Sequence, residues 1–327
     1  MQQLSTTVGI AFACVWVMVT SGLSMAQQTY PNRAIRFVVP YPPGGSTDPM
    51  ARLAANKLAE RWGQSVVVDN RPGGNTIIGT ELVAKAPPDG YTILLASSAL
   101  LTGPSMFARL PYNVLKDFTG VATIATSRFV LVLNPAVPAN NLQEFIALAK
   151  SRPGKLNFAT SGIGANTHLS AELFNGMVGT KMNHIPYKGS GSLVTDLISG
   201  RVELSFQVPI TVLTYITSNR LKAIAITGDS RAPALPDVPT FAEAGLPGFH
   251  AGGWFGIVAP AAAPKSAIHK MSSEMAIILT MPDAKDYLIK QGSEAFISTP
   301  EQMNALIKAD VAKYAKIIKD ANIKVEQ

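Results

Sequence analysis

Cysteine occurs once in the 327 residues, at Cys14, and histidine only four times. Cys14 lies in an N-terminal apolar run that reads as a removable segment, which leaves the remainder of the chain without a thiol. Disulfide frameworks, cysteine nucleophiles and cysteine-ligated metals are excluded together. His168, His184, His250 and His269 are scattered, with no HExxH pair and no acidic cluster at ligand spacing. A GxSxG elbow and a GxxxxGK[ST] loop are both missing. The turn Gly162-Ile163-Gly164-Ala165-Asn166-Thr167 keeps only the first two glycines of a dinucleotide-binding fingerprint. Nothing nominates a nucleophile or a general base, so an enzyme is disfavoured and no cofactor or metal is expected.

Charge is scarce too, at 15% of residues where ~25% is usual, while 47% are hydrophobic. Such a balance excludes intrinsic disorder. The net charge of +7 comes from 28 basic and 21 acidic side chains. Lys308, Lys313, Lys316 and Lys319 alternate with Asp310 and Asp320 and form no aromatic-studded basic stripe, so nucleic acid is not an expected partner. The field of the excess charge would favour anionic solutes modestly and would be screened by salt.

Before Arg33 the chain has no charged side chain at all. Residues 8–19 form an apolar run of twelve, too short for a bilayer that needs ~20. Ser24-Met25-Ala26 follows with small residues at the two positions signal peptidase reads. Residues 1–26 are therefore expected to be a cleavable signal peptide, with export as the consequence, although residues 1–7 offer only the terminal amine for charge. A lipid anchor on Cys14 would need Leu three positions earlier, where Ala11 stands.

From residue 34 onward short β-branched runs alternate with helical patterns. Strands are expected at 35–39, 65–68 and 91–96, with helices starting at Asp48-Pro49 and running over 77–85. The run 121–133, broken at Ser127-Arg128, is long enough to leave one globule and enter another. Asn141-Leu142-Gln143-Glu144 carries a capping-box signature for a helix to about residue 150. Strands at 157–159, 183–185, 203–206 and 223–226 then alternate with helices over 167–178, 192–199 and 212–218. A proline-rich segment, 231–249, contains a short capped helix at Thr240-Phe241-Ala242-Glu243, and 255–258 is strand-like again. The last helix starts at Thr299-Pro300-Glu301-Gln302, with Met303, Leu306, Ile307, Val311, Tyr314 and Ile318 along one stripe. The alternation predicts α/β architecture, each sheet mainly parallel and flanked by helices on both faces.

Several turns at strand ends are rich in Gly, Ser, Thr and Asn: 41–48, 70–76, 97–102, 160–166 and 189–192. In open α/β sheets such carboxyl-end turns line the binding crevice, and the helices they open present unpaired N–H groups to an anion. Taken singly, each is also what any connecting turn with a left-handed glycine looks like. Three or four charge-assisted hydrogen bonds of about 1.5–3 kcal/mol each would approach micromolar binding without an arginine clamp.

The segments YPPGGSTDPMAR (41–52), DNRPGGNTIIGTELVAKAPPDGYTILLA (69–96), LPYNVLKDFTGVATIA (110–125), ATSGIGANTHLSAELF (159–174), IPYKGSGSLVTDLISGRVELSF (185–206) and ALPDVPTFAEAGLPGF (234–249) resemble the Bug-type solute receptors of tripartite tricarboxylate transporters. The match runs in order through nearly the whole chain after residue 26. It implies a two-domain periplasmic binding protein of the Venus-flytrap, type II-like kind. Residues 27–127 plus 250–327 would form domain 1 and 128–249 domain 2, with a small organic carboxylate held in the cleft between them. Carried over, the ligand-facing residues are Tyr41, Pro42, Gly44, Gly45, Thr47, Asp48, Ser97 and Ser98 from domain 1, and Thr160, Ser161, Gly162, His168, Gly189, Ser190 and Gln207 from domain 2. Asp48 is expected to cap its helix, since an anionic ligand would be repelled by it. His168 reads equally as a ligand group and as a packed helix residue.

The implied partners are membrane transporter subunits, or alternatively a receptor kinase told of solute occupancy; the receptor itself is expected to be a periplasmic monomer. Two departures from the family pattern stand out. Where the family loop often reads PGAGG, this chain has Pro72-Gly73-Gly74-Asn75-Thr76, and after Phe206 it has Gln207 where relatives often carry an acidic or small residue. A neutral amide cannot pair a ligand ammonium, which points to a plain carboxylic acid over an amino acid.

Overall fold

The computed structural model describes residues 30–44, 47–187, 189–320 and 323. The expected signal peptide, Cys14 and Gly45 lie outside the described residues. Two five-stranded sheets organise the rest. In the first, β1 (Ile35–Val39), β2 (Val66–Asn70), β3 (Thr92–Ala96), β4 (Phe118–Ser127) and β10 (Gly253–Pro260) stand in the order β2-β1-β3-β10-β4. In the second, β5 (Val130–Leu133), β6 (Asn157–Thr160), β7 (Asn183–Pro186), β8 (Leu204–Gln207) and β9 (Lys222–Ile226) stand in the order β7-β6-β8-β5-β9.

Central strands are the β-branched, near-continuously apolar ones, because helices cover both of their faces. Ile35, Phe37, Val38 and Val39 of β1 are wholly buried, whereas the edge strand β2 ends in Asp69-Asn70. Helices α1 (Thr47–Trp62), α2 (Ile77–Ala84) and α3 (Ser98–Met106) follow β1, β2 and β3. A short α4 (Val114–Asp117) leads into β4. The second sheet carries α5 (Leu142–Ser151), α6 (Asn166–Val178), α7 (Ser190–Ser199) and α8 (Pro209–Thr217). After β10 the chain adds α9 (Lys265–Thr280), α10 (Pro282–Lys290) and α11 (Pro300–Asp320) to the first lobe.

The sheets are mixed rather than mainly parallel. β1 is parallel to β2 and β3, and β6 to β7 and β8, but β10 runs against β3 and β4, and β5 against β8 and β9. The reason is where the chain changes lobe. β4 ends at Ser127, on the edge where β1 and β3 also end, and β5 starts after only two connecting residues beside the end of β8, with Val130 opposite Gln207. β9 ends on that edge too, with Ile226 opposite Val130, and β10 re-enters the first sheet with Gly253 opposite Ser127. A strand that enters at the edge where its neighbours finish must run against them.

Other departures are local. The capped helix expected at Thr240 is a single turn: Thr240 Oγ1 accepts from Glu243 N at 3.1 Å and Glu243 Oε2 from Thr240 N at 2.8 Å. Gly245, with φ of +89°, then ends it at once. The segment around it delivers Phe241 and Phe249 to the second-lobe core, where they meet Phe174 and Phe206; the Phe241 and Phe249 ring centroids are 4.4 Å apart. Helices α9 and α10 were not legible in the sequence reading, and most of the turn expected at 97–102 is already helix α3.

The two lobes are pinned at the crossings and touch beyond them. Arg128, in the short crossing, donates to Ser230 O at 2.8 Å in the long one and to Glu294 Oε2 at 2.9 Å in the first lobe. Leu169 of α6 packs into the first-lobe core with Trp254, Tyr314 and Met106. Beside it Gly164, with φ of +72°, lies so close to Met106 that a Cβ there would sit 1.8 Å from its Sδ.

Substituting Gly164→Ala is therefore expected to cost about 1–3 kcal/mol through backbone strain and overpacking. Met106→Ala in the same chain should recover part of that loss in urea unfolding. If the two effects simply add within about 0.5 kcal/mol, the lobes do not meet at this point.

Candidate functional site

The first-lobe half of the site is built where β1 and β3 end. Tyr41 Oη and Ser97 Oγ are 2.5 Å apart. Burial pushes the Tyr41 phenol up to about 12, against the hydrogen bond to Ser97, so it stays protonated at neutral pH. The loop before α1 is held from below by Asp48. Its Oδ2 accepts from Arg52 Nε at 2.8 Å and from Gly44 N at 3.5 Å, and its Oδ1 accepts from Asn70 Nδ2 at 3.1 Å. Asn70 Nδ2 also donates to Tyr41 O at 3.1 Å. Burial works against ionisation of Asp48, but hydrogen bonds from Arg52 and Asn70 outweigh it and hold the carboxyl below its ordinary value. Thr47, Ser97 and Ser98 are buried at helix starts, while Pro42 and Gly44 are exposed.

The second-lobe half forms where β6, β7 and β8 end. Ser161 N donates to Thr167 Oγ1 at 3.0 Å, and Gly189 N donates to Ser161 O at 3.1 Å, which ties the two turns together. Gly162 and Gly189 have φ of +147° and +105°, so both need glycine. Ser190 is the first residue of α7. Gln207 is fully buried and already partnered: Nε2 donates to Ser205 Oγ at 2.7 Å, and Oε1 accepts from Thr211 Oγ1 at 3.3 Å. The His168 ring is buried, and its Nδ1 accepts from Gly164 N at 3.0 Å. His184, which sequence reasoning passed over, stacks on it with centroids 3.8 Å apart and reaches Thr160 Oγ1 at 2.6 Å. Its one partly inward position on the otherwise exposed β7 shows only in the structure, and the sequence carries no signal for it.

Several helices start in this region. Ser97, Ala165, Gly189 and Val208 are the N-caps of α3, α6, α7 and α8, and none of them makes a side-chain cap bond. Elsewhere Asn113 and Asn141 cap α4 and α5, and Thr299 with Gln302 closes the start of α11, while α2, α9 and α10 also start without a side-chain cap bond. Four helix N-termini at the facing carboxyl edges therefore keep N–H groups free of side-chain acceptors. Each end contributes about 0.3–1 kcal/mol toward an anion at an exposed site, and more where it is partly buried. Among the described residues no group of three His, Cys, Asp or Glu side chains is placed to hold a metal ion.

Asp48→Asn is expected to lower stability by about 1–3 kcal/mol, because charge-assisted bonds to Arg52 and Asn70 are lost. The depressed Asp48 carboxyl stabilises the fold above its ordinary value of 3.8, and that contribution is lost as pH falls through its lower folded value. The variant's melting temperature should accordingly fall less than the wild type's over the same acid range, measured by circular dichroism.

Comparison with known proteins agrees with this geometry. The sequence pattern of the tripartite tricarboxylate transporter family receptor matches residues 50–323. Protein BugT of Bordetella pertussis is 38% identical over 330 residues, covering 100% of this chain and 99% of BugT. Among solved structures, R. palustris Rpa4515 with adipate superposes with a TM-score of 0.83 at 33% identity, over 90% of this chain and 99% of its own. MatC (Rpa3494) from Rhodopseudomonas palustris with bound malate gives a TM-score of 0.78 at 28% identity, over 88% of this chain and 100% of its own. With its two mixed sheets, its facing carboxyl edges and a family match spanning most of its length, the chain belongs to the tripartite tricarboxylate transporter receptor family and has the two-domain α/β fold of a periplasmic binding protein.

Proposed function

We propose that the chain is an extracytoplasmic solute receptor that captures a small organic carboxylate between its lobes and delivers it to a membrane transporter. One observation carries this reading: four helices, α3, α6, α7 and α8, start at the two facing carboxyl edges with no side-chain cap bond. Backbone N–H groups from α3, α6, α7 and α8 can solvate a carboxylate without a counter-cation. Tyr41, Ser97 and Ser98 supply hydroxyls from the first lobe, and Thr160, Ser161 and Ser190 from the second. Asp48 acts behind the loop, since its oxygens are committed to Arg52, Asn70 and Gly44. The relatives solved with adipate and malate support the ligand class. In this reading residues 1–26 are the export signal, 27–127 plus 250–327 are one domain, and 128–249 are the other.

Gln207, fully buried behind the cleft, bears on the choice within the class through its lack of charge rather than by contact. It carries no charge, and both ends of its amide are engaged. A ligand ammonium would find no anion there, so plain dicarboxylates are favoured over amino acids.

Adipate or malate at about a hundred times its dissociation constant should stabilise the ligand-stripped mature protein by about 2.7 kcal/mol. Titration calorimetry is expected to rank both above aspartate and glutamate, with the solute recovered chemically unchanged. Equal or tighter amino-acid binding would overturn the role of Gln207, and failure of every carboxylate would overturn the assignment. Radiolabelled uptake in a deletion strain addresses delivery: uptake should fall, whereas normal uptake with lost gene induction would mean a sensor.

A further inference from the structure

Two of the four histidines stand together inside the second lobe, behind the turn that follows β6. His184 of β7 and His168 of α6 lie face to face, with ring centroids 3.8 Å apart and planes at 11°. Phe158 of β6 lies against His184 at 5.0 Å. Each imidazole holds a different end of one turn. His184 Nε2 is 2.6 Å from Thr160 Oγ1, a hydroxyl that also donates to Gly162 O at 3.2 Å. His168 Nδ1 accepts from Gly164 N at 3.0 Å. We propose that His168 and His184 are positioning residues for solute binding, a stacked pair that clamps the turn from Thr160 to Gly164 and keeps it in binding geometry only while both rings are neutral. This rests on the carboxylate-receptor reading, in which the same turn contributes Thr160, Ser161 and Gly162.

The chemistry follows from proton positions. A ring nitrogen that accepts from Gly164 N carries no proton, so His168 bears its single proton on Nε2, which faces Glu172 Oε1 at 3.7 Å. Protonating His168 would put a second N–H at Nδ1, directly against the N–H of Gly164, and the bond would be replaced by a donor–donor contact. On the other side, Thr160 Oγ1 accepts from Gly162 N at 3.4 Å and has one proton of its own, which goes either to Gly162 O, with His184 Nε2 then donating to it, or to an unprotonated His184 Nε2. Either tautomer of the neutral His184 ring makes this bond. Charging either ring also sets a cation flat against its neighbour at a separation where no water fits between the planes. The titratable groups acting on His184 are His168 and Glu172, both on α6; the neighbouring β6 presents Phe158 and Thr160, which do not titrate in this range. Burial, and then His168, hold the His184 imidazole down to about 4, with Glu172 pulling the other way. The His184 imidazole is thus neutral at the pH where solute is captured and becomes charged only in acid.

Three chains and one spectrum test the proposal. Adipate binding is measured by calorimetry from pH 7.5 to pH 4 on the wild type, His184→Phe and His184→Gln. Phenylalanine keeps a stacking ring without a hydrogen bond, whereas the glutamine amide keeps a donor to Thr160 that does not titrate. Expected at pH 7.5 is a tenfold or greater loss of affinity in His184→Phe with little change in melting temperature, and recovery of most of it in His184→Gln. On acidification the wild type should weaken more than His184→Gln; adipate itself titrates alike in both, so the ratio isolates the imidazoles. Should His184→Phe bind adipate as the wild type does, with the same pH profile, the pair is mere packing and the proposal falls. Independently of any solute, nitrogen-15 spectra of the ligand-free wild type should show His184 neutral at pH 6 and no proton on Nδ1 of His168; an Nδ1 proton on His168 would overturn the clamp. If adipate and the other carboxylates bind no variant at any pH, the receptor reading fails while the spectrum still decides the state of the pair.

Discussion

Everything in the molecule hangs on the chain changing lobes at one edge. β4 hands over to β5 across Arg128 and Phe129, and β9 returns to β10 from the same side. Because both handovers occur where β1, β3, β6 and β8 finish, the turns after those strands are gathered against one another instead of being scattered around two separate sheets. The antiparallel strands β5 and β10 are a by-product of this entry rule. Arg128 reinforces it by bonding to the long crossing and to the first lobe at once.

From that edge follows the character of the site. Its polarity comes from backbone N–H groups and hydroxyls rather than from fixed cations, and the charged side chains nearby serve the scaffold. Asp48 illustrates the division of labour: a buried carboxylate beside an anion site would be costly, yet here it is neutralised by Arg52 and spends its oxygens on the loop behind. On the reading proposed above, a cleft furnished this way would recognise the carboxylate group common to many solutes.

Much of this was readable from residue order. The β-branched runs, the Asp48-Pro49 and Thr299-Pro300 helix starts and the break at Ser127-Arg128 each reflect a local physical demand, and each corresponds to an element boundary within two or three residues. The lobe change itself was legible because one apolar run was too long for a single strand. What escaped depended on contacts distant in sequence. The direction of β10 is set by where β9 ended, not by its own residues. The turn at Thr240 carries a helix signature that Gly245 cuts short. His184 has meaning only beside His168 and Thr160, sixteen and twenty-four positions away. Helices α9 and α10 were missed for a different reason: Pro264 and Pro282 start them without the Ser, Thr, Asp or Asn cap that would have marked an opening.

The placement of β10 between β3 and β4 has a consequence for the order of assembly. All five strands of the second sheet lie between Val130 and Ile226, so that sheet is complete in the nascent chain before Gly253 has been made. The first sheet is not. Until Pro260 emerges, β3 and β4 have no shared neighbour, and its two halves cannot zip together however long they wait. A polypeptide with such a late keystone stays half-built through most of its synthesis, and long-range closure of this kind is slow even afterwards. For a chain exported as proposed above, such a strand order would keep the first sheet unclosed until its far end has been made.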